Sequence, residues 1–245
     1  MSSAPARLRE LLEGGPMLVA PGAYDCITAR LVEQAGFEAV YMTGAGTAAT
    51  LGYPDYGLTT MTEMVDNARR ICDVLTVPLI ADADTGFGNE VNMTRAVRAY
   101  AKAGVAAIHI EDQIFPKKCG HLDNKQVIPA EEWLAKIRAA VGERGDGEMV
   151  VIARTDSRAM LGLEEAVRRS NLALAAGADL VFLEAPQTVE EIRSIPELVK
   201  GPCLLNLVRG GKSPVVPLAD ADSYGYRLQG SPDRAGLGRG TARDG

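Results

Sequence analysis

Residues 91–112 read VNMTRAVRAYAKAGVAAIHIED. The amphipathic stretch over 91–103 predicts a helix, and Gly104 can take the left-handed conformation that ends it. A β-rich apolar run over 106–111 follows and closes on an acid, Glu111. This unit decides the fold because its neighbours repeat it. Ala35-Gly36 and Ala176-Gly177 mark the same kind of helix stop. Strands are expected over 17–21, 39–43, 78–82, 106–111, 149–155, 180–184 and 203–207. Amphipathic helices are expected between them, over 25–35, 62–75, 91–103, 130–141, 163–176 and 189–195. Alternation of this kind predicts a parallel sheet with right-handed crossovers. So long a run, with polar residues at the strand ends, favours an α/β (β/α)8 TIM-type barrel over an open sheet.

The end of the chain breaks the pattern. The stretch 222–228 reads as the start of an eighth strand. From Gln229 to Gly245 the sequence is QGSPDRAGLGRGTARDG, rich in Gly, Arg and Asp and nearly free of apolar residues. Such a segment lacks the means to bury a core. The expectation is a barrel domain over 1–228 and a disordered Gly/Arg-rich tail over 229–245. The eighth strand and the helices after it would then be truncated or replaced.

The 245 residues suit one barrel, and 47% hydrophobic content is enough for its core. A net charge of −6 argues against a nucleic-acid surface, which needs a basic stripe. No apolar run reaches membrane-spanning length, and residues 1–13 are polar and helix-like without a signal-peptide core. None of the four cysteines forms a C-x-x-C pair, so a structural zinc site or a disulfide framework is not expected. A reducing cytoplasm is the expected compartment.

Strand-end residues of a parallel barrel face one site. Here they are Tyr41, Thr43-Gly44-Ala45-Gly46, Asp82, Asp84, Glu111, Arg154, Asp156, Glu184 and Asn206. Carboxylates crowded on one rim repel, so either cations balance them or their pKa values rise. Mg²⁺ or Mn²⁺ held by one or two carboxylates and several waters is the economical answer. Asp82 and Asp84, spaced i, i+2 within Asp82-Ala83-Asp84-Thr85-Gly86-Phe87-Gly88, are the best metal candidates. A helix N-cap or an Asx-turn is an equally good reading of the same two acids. Thr43-Gly44-Ala45-Gly46 offers backbone N–H groups to an anion, or is a plain turn. Arg154 can bind a carboxylate bidentately, or pair on the rim with Asp156 or Glu184. Cys26, Cys72 and Cys203 read as inert fillers. Cys119 differs, lying in Lys117-Lys118-Cys119-Gly120-His121. Positive neighbours favour its thiolate and set an expectation of proton transfer near neutral pH. His109, inside a strand, reads as structural.

Together these segments resemble the isocitrate lyase and phosphoenolpyruvate mutase superfamily. The resemblance rests on Pro21-Gly22-Ala23-Tyr24-Asp25, Tyr41-Met42-Thr43-Gly44, Gly52-Tyr53-Pro54-Asp55, the 82–88 segment, Ile110-Glu111-Asp112-Gln113, the 117–121 segment, Ala153-Arg154-Thr155-Asp156, Phe182-Leu183-Glu184-Ala185-Pro186 and residues 206–212. It implies Mg²⁺-dependent chemistry through an enolate of an α-keto acid. By motif, Asp82 and Asp84 would hold the metal, with Glu111 acting through metal-bound water. Thr43, Gly44 and Ala45 would bind the keto-acid carboxylate; Gly120, Arg154, Glu184 and Asn206 would line the substrate site. Tyr41 would serve as base, and Cys119, beside His121 on a mobile lid, would protonate the departing carbanion. Asp55 matches a further active-site acid.

The Lys-Cys-Gly-His loop marks the lyase side of the superfamily, although carboxyphosphonoenolpyruvate mutases keep it. Glu184-Ala185-Pro186 and Gly210-Gly211-Lys212 resemble 2-alkylmalate lyases and those mutases more than the 2-methylisocitrate lyases of propionate metabolism. Arg209 stands where the family usually has a glutamate. The expected activity is C–C cleavage of a 2-hydroxy di- or tricarboxylate of the 2-methylisocitrate or 2-alkylmalate type. Hydrolysis or decarboxylation of oxaloacetate, P–C bond formation by a phosphonomutase, and an inactive barrel serving as a binding or assembly subunit are the alternatives. The expected partners are a small anionic carboxylate or phosphonate and copies of the chain itself. The family forms tetramers by exchanging C-terminal helices, so the altered C-terminus is expected to weaken assembly.

Overall fold

The computed structural model describes residues 2–122, 124–144, 149–208 and 210–231. Its parallel strands are β1 (Leu18–Ala23), β2 (Val40–Met42), β3 (Leu79–Asp82), β4 (Ala107–Glu111), β5 (Val150–Thr155), β6 (Leu180–Leu183), β7 (Cys203–Asn206) and β8 (Leu228–Ser231). They hydrogen-bond in sequence order and close into a barrel. The helices are α1 (Ala4–Glu13), α2 (Cys26–Gln34), α3 (Gly44–Thr50), α4 (Met61–Cys72), α5 (Glu90–Lys102), α6 (Ala130–Arg144), α7 (Arg158–Ala175), α8 (Val189–Leu198) and α9 (Leu218–Ser223).

Closure corrects the expectation of a missing eighth strand. Leu228 pairs with Leu18 on one side and Leu204 on the other, and the ladder continues to Pro21↔Ser231 and Asn206↔Gly230. Of residues 222–228, read as the start of that strand, only Leu228 belongs to it; the others hold the end of α9 and the turn after it. Three residues of the expected tail, Gln229 to Ser231, are therefore barrel. The remainder of that tail, the C-terminal helices and Arg209 lie outside the described residues.

Capping explains where several helices begin. Asp25 caps α2 and Thr60 caps α4, each in a reciprocal capping box, with Thr28 and Glu63 answering from the third helical position. Asn89 and Asn92 do the same for α5. Each cap follows a βα loop, which fixes where the chain turns back from the top of the barrel. At the other end, α1 closes the floor. Its Leu8 is fully buried against the barrel interior. Arg227 holds the α1 C-terminal carbonyls, donating to Leu12 O at 2.8 and 3.0 Å and to Gly14 O at 3.2 Å.

Two apolar cores follow from the two-residue period of the strands. Ile108, Ile110, Val151, Ala153 and Val181 face the helices. Ala107, Val150, Ile152, Leu180, Phe182, Leu204 and Leu228 fill the barrel. Continuing the inward parity along each strand turns the lining polar: Ile80 leads to Asp82, Ala107 to His109 and Glu111, Ile152 to Arg154, Phe182 to Glu184 and Leu204 to Asn206. The site is the upper layer of the barrel filling.

Candidate active site

A cavity of about 260 Å³ opens at the carboxyl ends of the strands. Its wall includes Tyr41, Thr43, Gly44, Ala45, Asp55, Asp82, Cys119, Gly120, His121, Arg154, Glu184 and Asn206. Asp84 and Glu111 stand behind that wall, both buried. The loop between β4 and α6 carries the thiol. Its base is a short antiparallel stem: Ile114 N–H donates to Gln126 O at 2.9 Å and Ile128 N–H to Asp112 O at 2.9 Å. Gln113 clamps Lys118 through both of its amide atoms, at 2.8 and 3.0 Å. Cys119 N–H donates to Asp55 O at 3.2 Å, which draws the thiol over the cavity. Gly120 sits so close to Arg154 and Glu184 that a Cβ there would collide with both side chains.

The lysine-flanked thiol departs from expectation. Lys117 turns away from Cys119 into the acid cluster, its Nζ 2.7 Å from Asp55 Oδ1 and 2.9 Å from Asp84 Oδ1. Lys118 Nζ reaches Asn124 O at 3.3 Å. With both ammonium groups engaged elsewhere, burial dominates and pushes the Cys119 thiol up, only partly opposed by the His121 backbone N–H. The group is held as a thiol, a proton donor rather than a standing nucleophile. Of the other cysteines Cys203 is buried, whereas Cys26 and Cys72 are half-buried.

Asp82 realises one of its two sequence readings: its Oδ1 accepts the Asp84 backbone N–H at 2.9 Å, as in an Asx-turn. Asp84 then adopts φ 46°, so the pair is not the extended i, i+2 arrangement the spacing suggested. Thr43-Gly44-Ala45-Gly46 is no plain turn; it opens α3, with Thr43 as the cap. Gly44 N–H donates to Asp82 Oδ2 at 3.0 Å. Arg154 adopts both rim pairings, donating to Asp156 at 2.9 and 3.1 Å and standing 3.7 Å from Glu184, while still facing the cavity.

His109 is a cavity residue, not merely a packed strand residue. Its Nδ1 lies 2.5 Å from the Tyr41 hydroxyl and its Nε2 2.9 Å from Asp82 Oδ1. A carboxylate only accepts, so we assign the proton to Nε2, whose 2.9 Å contact with Asp82 lacks hydrogen-bond alignment, and Nδ1 then accepts from Tyr41 O–H. Burial, reinforced by Asp82, pushes the Tyr41 phenol well above its ordinary value. On the other wall, Lys212 N–H donates to His121 Nδ1 at 3.0 Å, leaving Nε2 directed to Glu184 Oε1 at 3.2 Å. The inward parity of β4 was the available signal for His109, two residues before Glu111.

The carboxylates split electrostatically. Burial pushes Asp82 up, but His109, Lys117 and Arg154 outweigh it and hold it well below its ordinary value. Glu184 is likewise held down against burial by Arg154 and His121. Burial wins at Glu111 and Asp84, which are raised, Asp84 despite Lys117. Among the described residues neither Glu111 oxygen has a hydrogen-bond partner, Oε2 having only an ion-pair contact with Arg154 at 3.3 Å, and Asp84 Oδ1 has only the ion pair with Lys117. Buried carboxylate oxygens without hydrogen bonds are the hard donors that Mg²⁺ takes, so the residues fit that ion in kind. Among the described residues no three His, Cys, Asp or Glu side chains converge on one ligand point; Lys117 stands against Asp84 and Arg154 against Glu111.

Comparison with known proteins gives the family. A family model described as phosphoenolpyruvate phosphomutase matches residues 8–227. The chain is 49% identical over 224 residues to 2,3-dimethylmalate lyase of Eubacterium barkeri, covering 91% of this chain and 78% of that protein. It is 46% identical over 221 residues to 2-methylisocitrate lyase of Aeropyrum pernix, covering 90% and 71%. It is 43% identical over 227 residues to the chloroplastic carboxyvinyl-carboxyphosphonate phosphorylmutase of Arabidopsis thaliana, covering 91% and 67%. Among solved structures, 2,3-dimethylmalate lyase superposes with a TM-score of 0.92 at 43% identity, covering 95% of this chain and 79% of that one. Oxaloacetate acetylhydrolase with 3,3-difluorooxalacetate gives 0.91 at 40% identity, covering 94% and 80%. Phosphonopyruvate hydrolase, solved with oxalate and Mg²⁺, gives 0.83 at 35% identity, covering 94% and 80%. With an acid-and-thiol site at the mouth of a closed barrel, the chain belongs to the isocitrate lyase/phosphoenolpyruvate mutase superfamily and is an enzyme of its lyase and mutase chemistry.

Proposed function

We propose that the chain is a Mg²⁺-dependent C–C lyase acting on a 2-hydroxy dicarboxylate of the 2-alkylmalate type and releasing an α-keto acid. The observation that carries this reading is the Cys119 thiol in the wall of the cavity that also holds Tyr41, Asp82 and Arg154; burial raises its pKa and so favours the protonated form. The likeness to 2,3-dimethylmalate lyase in sequence and in structure supports the substrate class.

The keto-acid carboxylate is received at Thr43, Gly44 and Ala45, through the Thr43 hydroxyl, the Ala45 N–H and the Gly44 N–H once it leaves Asp82, and Arg154 holds a carboxylate with its guanidinium. Asn206 and Glu184 orient the rest of the substrate. Asp82, Asp84 and Glu111 are the residues that would hold Mg²⁺, directly or through water. When bound, that ion supplies Lewis-acid stabilisation of negative charge on the substrate oxygens.

Tyr41 takes the 2-hydroxyl proton while its own passes to His109 Nδ1, and Asp82 faces the imidazolium so formed. The O–H pair becomes the new C=O, and the C2–C3 pair leaves on the departing fragment. Cys119 then gives its proton to that carbon, and solvent returns the proton from the Tyr41–His109 pair to the thiolate. His121, locked between Lys212 and Glu184, fixes the loop that aims the thiol. The loop also excludes water, which would otherwise quench the carbanion.

A second reading, hydrolysis or decarboxylation of oxaloacetate, is favoured by the likeness to oxaloacetate acetylhydrolase. Incubation with Mg²⁺ and 2,3-dimethylmalate, 2-methylisocitrate, oxaloacetate or phosphonopyruvate separates the readings. Pyruvate release from dimethylmalate, lost at least a hundredfold in Cys119→Ser with Mg²⁺ affinity retained, is the expected result. Acetate and oxalate from oxaloacetate with no dimethylmalate cleavage moves the assignment to the second reading. Turnover by Cys119→Ser equal to the parent overturns the role given to the thiol.

A further inference from the structure

Behind Arg154 lies a buried ammonium that none of the steps above uses. Lys125 is only 4% exposed although it stands at the end of the thiol-bearing loop. Its Nζ donates to the Gly120 carbonyl and, at 2.7 Å, to Asp156 Oδ1. Asp156 is fully buried and already accepts both contacts from Arg154, at 2.9 and 3.1 Å. Its position is fixed in turn by Asp112, whose Oδ1 accepts the Asp156 backbone N–H at 2.8 Å. Asp112 is held by Thr155 at 2.6 Å and by Arg169 at 3.0 Å. One carboxylate therefore ties together the loop and the guanidinium on the cavity wall, and Lys125 is the link on the loop side.

The placement has a chemical logic. Arg154 is on β5 and Asp156 is the first residue past its end, where its carboxylate meets the Arg154 guanidinium. Gly120 rests directly on the Arg154 and Glu184 side chains, with no room for a Cβ. A loop lying that close needs a tether that does not enter the cavity. An ammonium with three donors can hold a carbonyl and a carboxylate at once, whereas a neutral side chain of similar length holds neither as firmly. The tether fastens the glycine next to Cys119, so it sets the height of the thiol above the substrate, while Arg154 keeps its own two contacts with Asp156.

From this geometry we infer that Lys125 is a positioning residue that fastens the Cys119 loop to the Arg154–Asp156 pair and so aims the thiol. The inference rests on the loop carrying the proton donor, as in the function proposed above, but its test has an arm that needs no substrate. The full-length protein is compared with Lys125→Met and Lys125→Arg. Trypsin cleavage after Lys118, followed by mass spectrometry well below the thermal midpoint, reports on the loop itself. Turnover of 2,3-dimethylmalate with Mg²⁺ reports on the chemistry.

Lys125→Met is expected to be cut after Lys118 about tenfold faster or more. Its kcat is expected to fall roughly 10- to 100-fold, the usual cost of losing a supporting contact behind a site, with KM within about threefold. Such a split marks an interaction expressed in the transition state rather than in ground-state binding. Lys125→Arg retains both contacts and is expected to recover most of the trypsin resistance and of kcat. Cleavage of Lys125→Met at the parent rate overturns the inference, and so does a lowered thermal midpoint with kcat unchanged, which marks a purely structural lysine. If Lys125→Met does not fold, Lys125→Gln takes its place with the same expected and overturning results. If the parent turns over no substrate, the proposed function fails while the trypsin arm still decides the role of Lys125.

Discussion

At the scale of single residues, protonation state follows from burial more than from neighbours in sequence. Lys117 and Lys118 flank Cys119 in the chain, yet the fold points one into an acid pocket and the other to a loop carbonyl. The thiol is raised above its ordinary range of about 8.5. A proton donor must be protonated, so activity persists through neutrality and falls as pH rises through the raised value. The kcat/KM profile is expected to be flat near pH 7 and to lose activity with unit slope only above the ordinary thiol range. An alkaline limb centred below pH 7 would contradict the thiol as donor. The same shift makes folded-state stability decline, not grow, at high pH, because the unfolded chain releases that proton first.

Among elements, the end of β5 concentrates charge, Arg154 on the strand and Asp156 just past it. Burial alone would raise Asp156, but Arg154 and Lys125 outweigh it and hold the carboxyl well below its ordinary value. A depressed carboxylate stabilises the fold above its unfolded pKa of about 3.9 and loses that contribution as pH falls below it. Asp156→Asn leaves two buried cations short of their partner. Urea denaturation is expected to show a loss of about 3–5 kcal/mol, the range for removing one member of a buried ion pair. A loss under about 1 kcal/mol would mean that Arg154 and Lys125 find other partners. The helical elements show how far pattern reading reaches. Helices α2, α4 and α5 announce themselves by caps and amphipathic spacing. Helix α3 does not, because Gly44-Ala45-Gly46 is also a turn sequence, and its cap Thr43 is recognisable only once Val40–Met42 is seen to end there. The acid-rich α9 was masked by the aromatic residues that follow it, which suit a strand.

At the scale of the whole molecule, closure depends on a short eighth strand between β7 and β1. Leu228 is fully exposed to neither solvent nor helices; it is buried inside the barrel. Leu228→Ala is expected to cost about 2–5 kcal/mol in chemical denaturation, since the surrounding ladder limits collapse into the space. A cost below about 1 kcal/mol would show that β8 contributes little to closure. Asp82 and Glu111 join the ladders only through their backbones, and the apolar filling lies below their carboxylates, so closure does not depend on what those carboxylates bind. Chelation with EDTA is therefore expected to abolish dimethylmalate turnover while leaving far-UV circular dichroism unchanged, and added Mg²⁺ to restore it. Loss of the dichroism signal on chelation would make the metal structural.

What the sequence by itself determined is the order of elements, the barrel, and the set of polar residues at strand ends. Local signals carry those: amphipathic period, glycine stops, and a buried strand that ends on an acid. Asp82, Glu111, Arg154, Glu184 and Asn206 could be read as neighbours because a parallel barrel gathers all its strand ends. Only the tertiary structure decided the rest. That β8 completes the ring, that Lys117 leaves Cys119 for Asp55 and Asp84, that His109 links Tyr41 to Asp82, and that Lys125 reaches Asp156 all depend on contacts between segments far apart in the chain. Charge and protonation are set by distance and burial, and neither quantity exists until the barrel has closed.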